Sequence, residues 1–316
     1  MTLLKIENLN LNFNLQSGVF QALHNVSFEL EKGKILALVG ESGSGKSLTA
    51  MSILRLIPNT ARITSGKILY NGQNLLDLNE KQMQKIRGKE IALIPQDPMT
   101  SLNPLYTIGN QIIEVINLHK GLFGKDAEKF AVEALDAVKI PDAKERLKAY
   151  PHELSGGMRQ RVAIATALAC SAKLIIADEP TTALDVTVQA QIIELLNEIK
   201  NDFGTSIILI SHDLALVCEN ADDTAVMYAG SIVEYSHGKR LFFEPKHPYT
   251  KVLIASLPDF SGKDLKTIDG NPPTIRDCFE GCPFAPRCEE KTEECEKSKP
   301  PFKKINDTDF SRCFYS

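Results

Sequence analysis

Eight consecutive residues, Gly40-Glu41-Ser42-Gly43-Ser44-Gly45-Lys46-Ser47, have the spacing of a phosphate-binding loop. The glycines let backbone N–H groups wrap around phosphate oxygens, and a helix N-terminus just after them adds partial positive charge. In such a loop Lys46 bridges the terminal phosphates and the Ser47 hydroxyl ligates Mg²⁺. The flanks suit the task. Ile35 to Val39 is a continuous apolar run, as a strand buried on both faces requires, and Leu48 to Ile57 reads as a helix running up to Pro58. Alone, the loop indicates a bound nucleotide and fits a small-molecule kinase or a GTPase equally well.

A second constellation narrows the chemistry. Leu174-Ile175-Ile176-Ala177-Asp178-Glu179 is an apolar strand ending in two carboxylates, which are expensive at a buried strand end unless they work on an ion or a water. Successive side chains point in different directions, so Asp178 is assigned to the Mg²⁺ shell and Glu179 to polarising the attacking water. A solvated strand end is the competing reading of this pair on its own. His212 follows the apolar run Ser206 to Ile210, and parallel strands present their ends on one side of a sheet. It is therefore expected at the crevice of Lys46 and Glu179. Leu154-Ser155-Gly156-Gly157-Met158-Arg159-Gln160-Arg161 opens a helical run over Val162 to Ala169, with Ser155 suited to cap it.

The elements that must position these residues follow from periodicity. Leu3 to Tyr70 is mainly short alternating runs, such as Ala22 to Leu30, which predict strands with one buried face and turns at Glu31-Lys32-Gly33 and Asn71-Gly72. Met99 to Val138 takes helical spacing, with Ile108, Ile112, Val115 and Ile116 on one face, and reads as a helical insertion. An amphipathic helix carrying Ile192, Leu196, Ile199 and Phe203 ends at Gly204 and leads to a strand at Ile207 to Ile210. Strands alternating with helices predict an α/β fold with a mostly parallel sheet. From Glu244 onward frequent prolines, from Pro245 and Pro248 to Pro258, Pro300 and Pro301, break any long element.

A chain of 316 residues implies one large α/β domain with something smaller attached. At 43% hydrophobic and 24% charged residues it is globular, and a net charge of -4 argues against a nucleic-acid backbone as the main partner. Neither a secretory signal nor an apolar run of membrane-spanning length is expected, so membrane association should be peripheral. The first of seven cysteines is Cys170, and five lie from Cys278 onward, a distribution that suits a reduced compartment and a local metal site. Cys170 and Cys218 fall in helical runs and are expected to be buried.

Taken together, the motifs resemble those of the nucleotide-binding subunits of ATP-binding-cassette (ABC) transporters, in order, over residues 3 to 240. The resemblance implies an ABC-type P-loop NTPase: a mostly parallel core sheet, an N-terminal antiparallel β subdomain and an α-helical subdomain insertion at about 97–165. The cassette spans 1–243, and a Cys-rich extension occupies 244–316. Carried over by position, Gly40, Glu41, Ser42, Gly43, Ser44, Gly45, Lys46 and Ser47 bind ATP, with Mg²⁺ held by Ser47, Gln96 and Asp178. Glu179 is the catalytic carboxylate and His212 the switch that contacts the γ-phosphate. Ser155, Gly156 and Gly157, with Asp185 of Ala183-Leu184-Asp185, contact the nucleotide of a second subunit. The adenine stacks on an aromatic near the end of the first strand, for which Phe13 is the candidate and Phe20 the runner-up. The implied partners are a second ATPase subunit, commonly a different one, two membrane permease subunits and, indirectly, an extracytoplasmic solute-binding protein, with the ATPase at the cytoplasmic face of the membrane.

Three further stretches resemble the oligopeptide, dipeptide and nickel importers: Pro95-Gln96-Asp97-Pro98-Met99-Thr100-Ser101-Leu102-Asn103-Pro104, Tyr150-Pro151-His152-Glu153-Leu154 and His247-Pro248-Tyr249-Thr250. They imply a peptide importer, with nickel or glutathione import as alternatives. Gly281-Cys282-Pro283-Phe284-Ala285-Pro286-Arg287-Cys288 with Cys295 and Cys313 resembles a tail that holds a [4Fe-4S] cluster. Four thiolates suit zinc as well, although the paired C-x-x-C of a zinc ribbon is missing, and Cys278 is a spare thiol that could replace one of the four. A non-transport cassette ATPase acting on nucleic acid or the ribosome is the reading from another class. It would carry a coiled-coil insertion or a second cassette, and the sequence has neither.

Overall fold

The computed structural model describes residues 1–97, 101–182, 184–256 and 268–316. Pro98, Met99, Thr100, Ala183 and Pro258, quoted above, lie outside the described residues. The chain forms two compact units, residues 1–77 with 210–316, and residues 78–209.

The first unit opens with a long hairpin, β1 (Thr2–Leu15) and β2 (Gly18–Glu31), in antiparallel register with Ile6 opposite Phe28 and Phe13 opposite Phe20. After β3 (Ile35–Val39) and helix α1 (Lys46–Leu54), strand β4 (Ala61–Tyr70) pairs antiparallel with the other edge of β1. With the short β5 (Gln73–Asn74) this gives a four-stranded sheet of order β2-β1-β4-β5. The apolar positions Leu4, Ile6, Leu9 and Leu11 are fully buried, with the step of three residues between Ile6 and Leu9 falling at a shift of the β1–β2 register. Helix α1 ends at Leu54, short of Pro58. Arg55 takes a left-handed conformation and returns its N–H to Ser52 O and Met51 O, so the cap, not the proline, ends the helix.

The second unit holds α2 (Glu80–Ile86), β6 (Ile91–Ile94), α3 (Ile108–Lys120), α4 (Gly124–Ala137), α5 (Ala143–Arg146), α6 (Gly156–Ala169), β7 (Leu174–Asp178), α7 (Val186–Phe203) and β8 (Ser206–Ile210). Its strands lie in the order β8-β7-β6, with β6 and β7 parallel. On α3, Ile108, Ile112 and Ile116 are fully buried and Val115 half-buried, the face read from spacing. Cys170 is buried at the end of α6, where burial pushes its thiol up to about 11.

The chain then returns to the first unit with α8 (Leu214–Asn220), β9 (Asp223–Tyr228), β10 (Ser231–His237), α9 (Arg240–Phe243), α10 (Pro248–Ala255), α11 (Glu293–Lys297), β11 (Lys303–Lys304) and β12 (Phe310–Ser311). Strand β3 pairs in parallel with β9, and β10, β12 and β11 continue the order as an antiparallel edge. Cys218, on α8, is only half-buried, because α8 turns that side toward solvent.

Residues before and after position 243 share one core: Val39, Val226 and Tyr228 pack in the cluster that also contains Tyr249 and Phe284. The three aromatic rings meet with centroids 4.6 Å (Tyr228–Tyr249), 5.3 Å (Tyr228–Phe284) and 5.4 Å (Tyr249–Phe284) apart. Burying each such ring contributes roughly 1.5–3 kcal/mol, and favourable ring pairing adds roughly 0.5–1.5 kcal/mol. Prolines keep the tail free of long elements, yet it adds β12 to β10 through Glu234↔Ser311 and Tyr235↔Phe310.

Candidate functional site

In the first unit the fully buried β3 delivers the chain into the loop Gly40–Ser47. Gly40 stands at φ +144°, and a Cβ on it would lie 2.2 Å from Met227 O, so no other residue fits there. Gly45 precedes α1 at φ +104°. Gly230 N–H donates to Ser44 O (2.9 Å), tying the loop to the β9–β10 turn. Lys46 is 5% exposed, and its ammonium donates to Gly40 O (2.8 Å) and Glu41 O (3.0 Å), folded back over the loop it serves. The Ser44 hydroxyl is buried with no hydrogen-bond partner among the described residues, an orphan that a ligand oxygen in the loop would satisfy.

Two supports for this loop come from far along the chain. Glu41 N–H donates to the Tyr249 hydroxyl (2.9 Å), and the Glu41 carboxylate is gripped by the Arg287 guanidinium. His212 is exposed just after β8, in a turn anchored on β3: Ser211 N–H donates to Leu38 O (3.3 Å). Asp213 caps α8 by accepting from Ala215 and Leu216 N–H. His212 is therefore tethered to the strand that leads into the loop Gly40–Ser47.

The second unit carries Gln96, Ser155, Asp178, Glu179 and Asp185. Asp178 closes β7 at 4% exposure, and Glu179 follows it in a left-handed conformation (φ +47°), uncommon for a residue with a side chain. Glu179 Oε2 accepts from Gln96 Nε2 (2.7 Å) and from the Thr182 hydroxyl (3.0 Å). These bonds orient the carboxylate. Ser155 is the exposed N-cap of α6, its hydroxyl accepting from Met158 N–H (3.3 Å), so the first turn of α6 offers backbone donors outward. Asp185 caps α7 through Val188 N–H (2.9 Å). A Cβ on Gly157 would stand 2.7 Å from Val188 Cγ1, so the absence of a side chain at Gly157 lets α6 and α7 approach.

Phe13 and Phe20 are both half-buried. Phe20 lines a cavity of about 470 Å³ with Gly43, Gly230 and Tyr228, and Phe13 is its cross-strand partner. Cys282, Cys288, Cys295 and Cys313, all free thiols, line one small cavity together, while Cys278 is exposed and lines the larger one. Burial pushes the Cys282 thiol up to about 11 and raises that of Cys288, so any metal there must displace protons. Among the described residues no three His, Cys, Asp or Glu side chains are gathered tightly enough to hold a single ion. Thr182, Tyr249 and Arg287 were not foreseen. Tyr249 and Arg287 fall inside stretches that the sequence marks only by subgroup resemblance.

The ABC transporter family model matches residues 23–182, and the model for the oligopeptide/dipeptide transporter C-terminal region matches 233–295. The chain belongs to the ABC transporter family of ATP-binding proteins. It is 49% identical to the dipeptide transport ATP-binding protein DppD of Bacillus subtilis, over 94% of this chain and 90% of that one. To the oligopeptide transport ATP-binding protein OppD of Escherichia coli it is 47% identical, over 99% and 93%. A dimeric ATP-binding cassette in a post-hydrolysis state bound to ADP and Pi superposes with a TM-score of 0.66 at 27% identity, over 74% of this chain and 98% of that one. CbiO1 of Clostridium perfringens, part of the cbiONQ ABC transporter complex, gives 0.66 at 28%, over 77% and 91%. The family membership accounts for the α/β architecture with its separate antiparallel sheet. No helix among the described residues is long and apolar enough to cross a membrane.

Proposed function

We propose that this chain is the ATP-hydrolysing subunit of a peptide importer, docked on permease subunits at the cytoplasmic face of the membrane and paired with a second, non-identical ATPase subunit. The relatives named for dipeptide and oligopeptide transport cover nearly its whole length, and the tail carries the matching C-terminal region. The cassette would span 1–243, with its helical subdomain at about 97–165, and the extension 244–316.

The observation that carries the catalytic reading is the double hydrogen bond of Gln96 and Thr182 to one oxygen of Glu179. It holds the carboxylate in one orientation, as a general base must be held to accept a proton from a water. Lys46 and the loop N–H groups would receive the phosphates, and His212 would contact the γ-phosphate. Ser47 and Asp178, with Gln96, would hold Mg²⁺, which when bound offsets the charge of the terminal phosphates. Ser155, Gly156, Gly157 and Asp185 would present α6 donors to a nucleotide held by the partner subunit, closing the dimer on ATP and reopening it after hydrolysis. Phe20, with Phe13 behind it, would flank the adenine.

The four thiols around one cavity support a [4Fe-4S] cluster. Four thiolates suit a zinc ion as well, and the iron and zinc content of the purified protein separates the two.

The motor is tested by ATP-dependent dimerisation of Glu179→Gln, followed by light scattering alone and with candidate partner ATPases. Dimer formation that Ser155→Arg abolishes supports the shared site, and the partner requirement separates a heterodimer from a homodimer. Tight ATP binding without any dimer would remove Ser155 to Gly157 from the mechanism.

A further inference from the structure

The phosphate loop contains a carboxylate. Glu41, its second residue, lies in the stretch whose backbone must accept a polyanion, and an uncompensated negative charge there would oppose binding by like-charge repulsion. The charge is met from 246 positions further along the chain. Arg287 Nη1 donates to Glu41 Oε2 at 2.7 Å and Nη2 to Oε1 at 2.9 Å, a bidentate fork. The remaining donors of the guanidinium are committed as well: Nε to Asp269 O (2.9 Å), Nη1 to the Tyr228 hydroxyl (3.3 Å) and Nη2 to Ile268 O (3.5 Å). The Arg287 side chain is 6% exposed and that of Glu41 24%, so the pair is shielded from the screening that makes surface ion pairs weak.

The surroundings leave the fork little freedom. The guanidinium carbon stands 5.9 Å from the Tyr228 ring centroid. Tyr228 packs on Tyr249, whose hydroxyl takes the Glu41 N–H. Backbone and side chain of one loop residue are thus both held by groups outside the loop. Arg287 ends the 3₁₀ turn Ala285–Arg287, next to Cys288.

We infer that Arg287 of the C-terminal extension is a positioning residue of the nucleotide site: it neutralises Glu41 and fixes the phosphate loop in the shape that receives the polyphosphate. This rests on the proposed ATP site and adds to it a residue outside the cassette motifs. It predicts more than a loss of packing. Without Arg287 the bare Glu41 carboxylate repels MgATP, so a second change that removes the carboxylate restores binding, which no purely structural role of Arg287 would give.

The test is the Kd for MgATP of the full chain, measured by titration calorimetry for wild type, Arg287→Ala, Arg287→Lys and each combined with Glu41→Gln. Arg287→Ala should weaken binding about tenfold, and Arg287→Lys, which keeps the charge without the fork, about threefold. Adding Glu41→Gln should return each to within about twofold of wild type. If Arg287→Ala does not fold, the Arg287→Lys pair carries the same test. Unchanged affinity in the Arg287 variants, or a loss that Glu41→Gln does not relieve, overturns the inference. Wild-type protein that fails to bind MgATP overturns the ATP site itself, a distinct result.

Discussion

Replacing His247 by asparagine should flatten the acid side of the stability profile. His247 is 2% exposed and caps α10, its Nδ1 accepting from Tyr249 N–H (3.1 Å), while its backbone N–H donates to Glu234 Oε2 (2.8 Å). Burial, with Lys251 adding to the effect, lowers the imidazole from 6.5 to about 3. The unfolded chain therefore takes up a proton below its ordinary pKa that the folded chain refuses. Stability from this group is complete above about pH 6.5 and falls as pH drops through the window down to about 3. Between about pH 7 and about pH 5.5 the linkage integral for one such histidine is about 1.3 kcal/mol. Glu234 has the opposite sign, since burial raises its pKa and acidification favours the fold, but it is present in both proteins and cancels in the difference. Asparagine also caps helices, so the variant keeps the capping chemistry and loses the titration. Urea denaturation at the two pH values should show wild type losing about 1 kcal/mol more than His247→Asn, whatever their offset at neutral pH. Equal losses would mean that His247 is protonated in the folded state, and the burial argument would be wrong.

Two further outcomes test the sites directly. Gly40→Ala puts a Cβ 2.2 Å from Met227 O at φ +144°, so it should cost about 2–4 kcal/mol and lower the melting temperature by several degrees; an unchanged thermal scan would refute the close approach. Anaerobically purified wild type should be brown, with absorption near about 400 nm and about four iron atoms per chain, and Cys295→Ser should lose most of both. A colourless, iron-free protein binding one zinc would replace the cluster by an ion.

The half of the site that works through local sequence was legible. A phosphate loop is contiguous, so Gly40 to Ser47 could be read whole together with its strand and helix, and Ser155 could be read as a cap because capping is decided within four residues. The position of Asp178 at the end of a buried strand was legible because the apolar run Leu174 to Ala177 before it marks the strand. The addition of β12 and β11 to the edge of β10 was not, since strands of two residues have no periodicity to detect. The supports of the loop were hidden for a different reason. Tyr249 and Arg287 reach Glu41 only through the tertiary fold, and nothing local distinguishes Arg287 from any other arginine in a proline-rich tail.

That difference bears on how the molecule divides its labour. In the proposed site the motif residues would supply the groups that touch the nucleotide, but a phosphate loop rich in glycine is free to take many shapes, and its conformational entropy must be offset by something outside it. Here Tyr249, Tyr228 and Arg287 do so, from elements that follow the last motif, His212. Their own positions depend on the aromatic core around Phe284, which lies between Cys282 and Cys288 in the sequence and itself lines the thiol cavity. The cavity and the loop therefore share one packed foundation. A change that loosens it should register first as weaker nucleotide binding, before the antiparallel sheet or the helices of the second unit are disturbed.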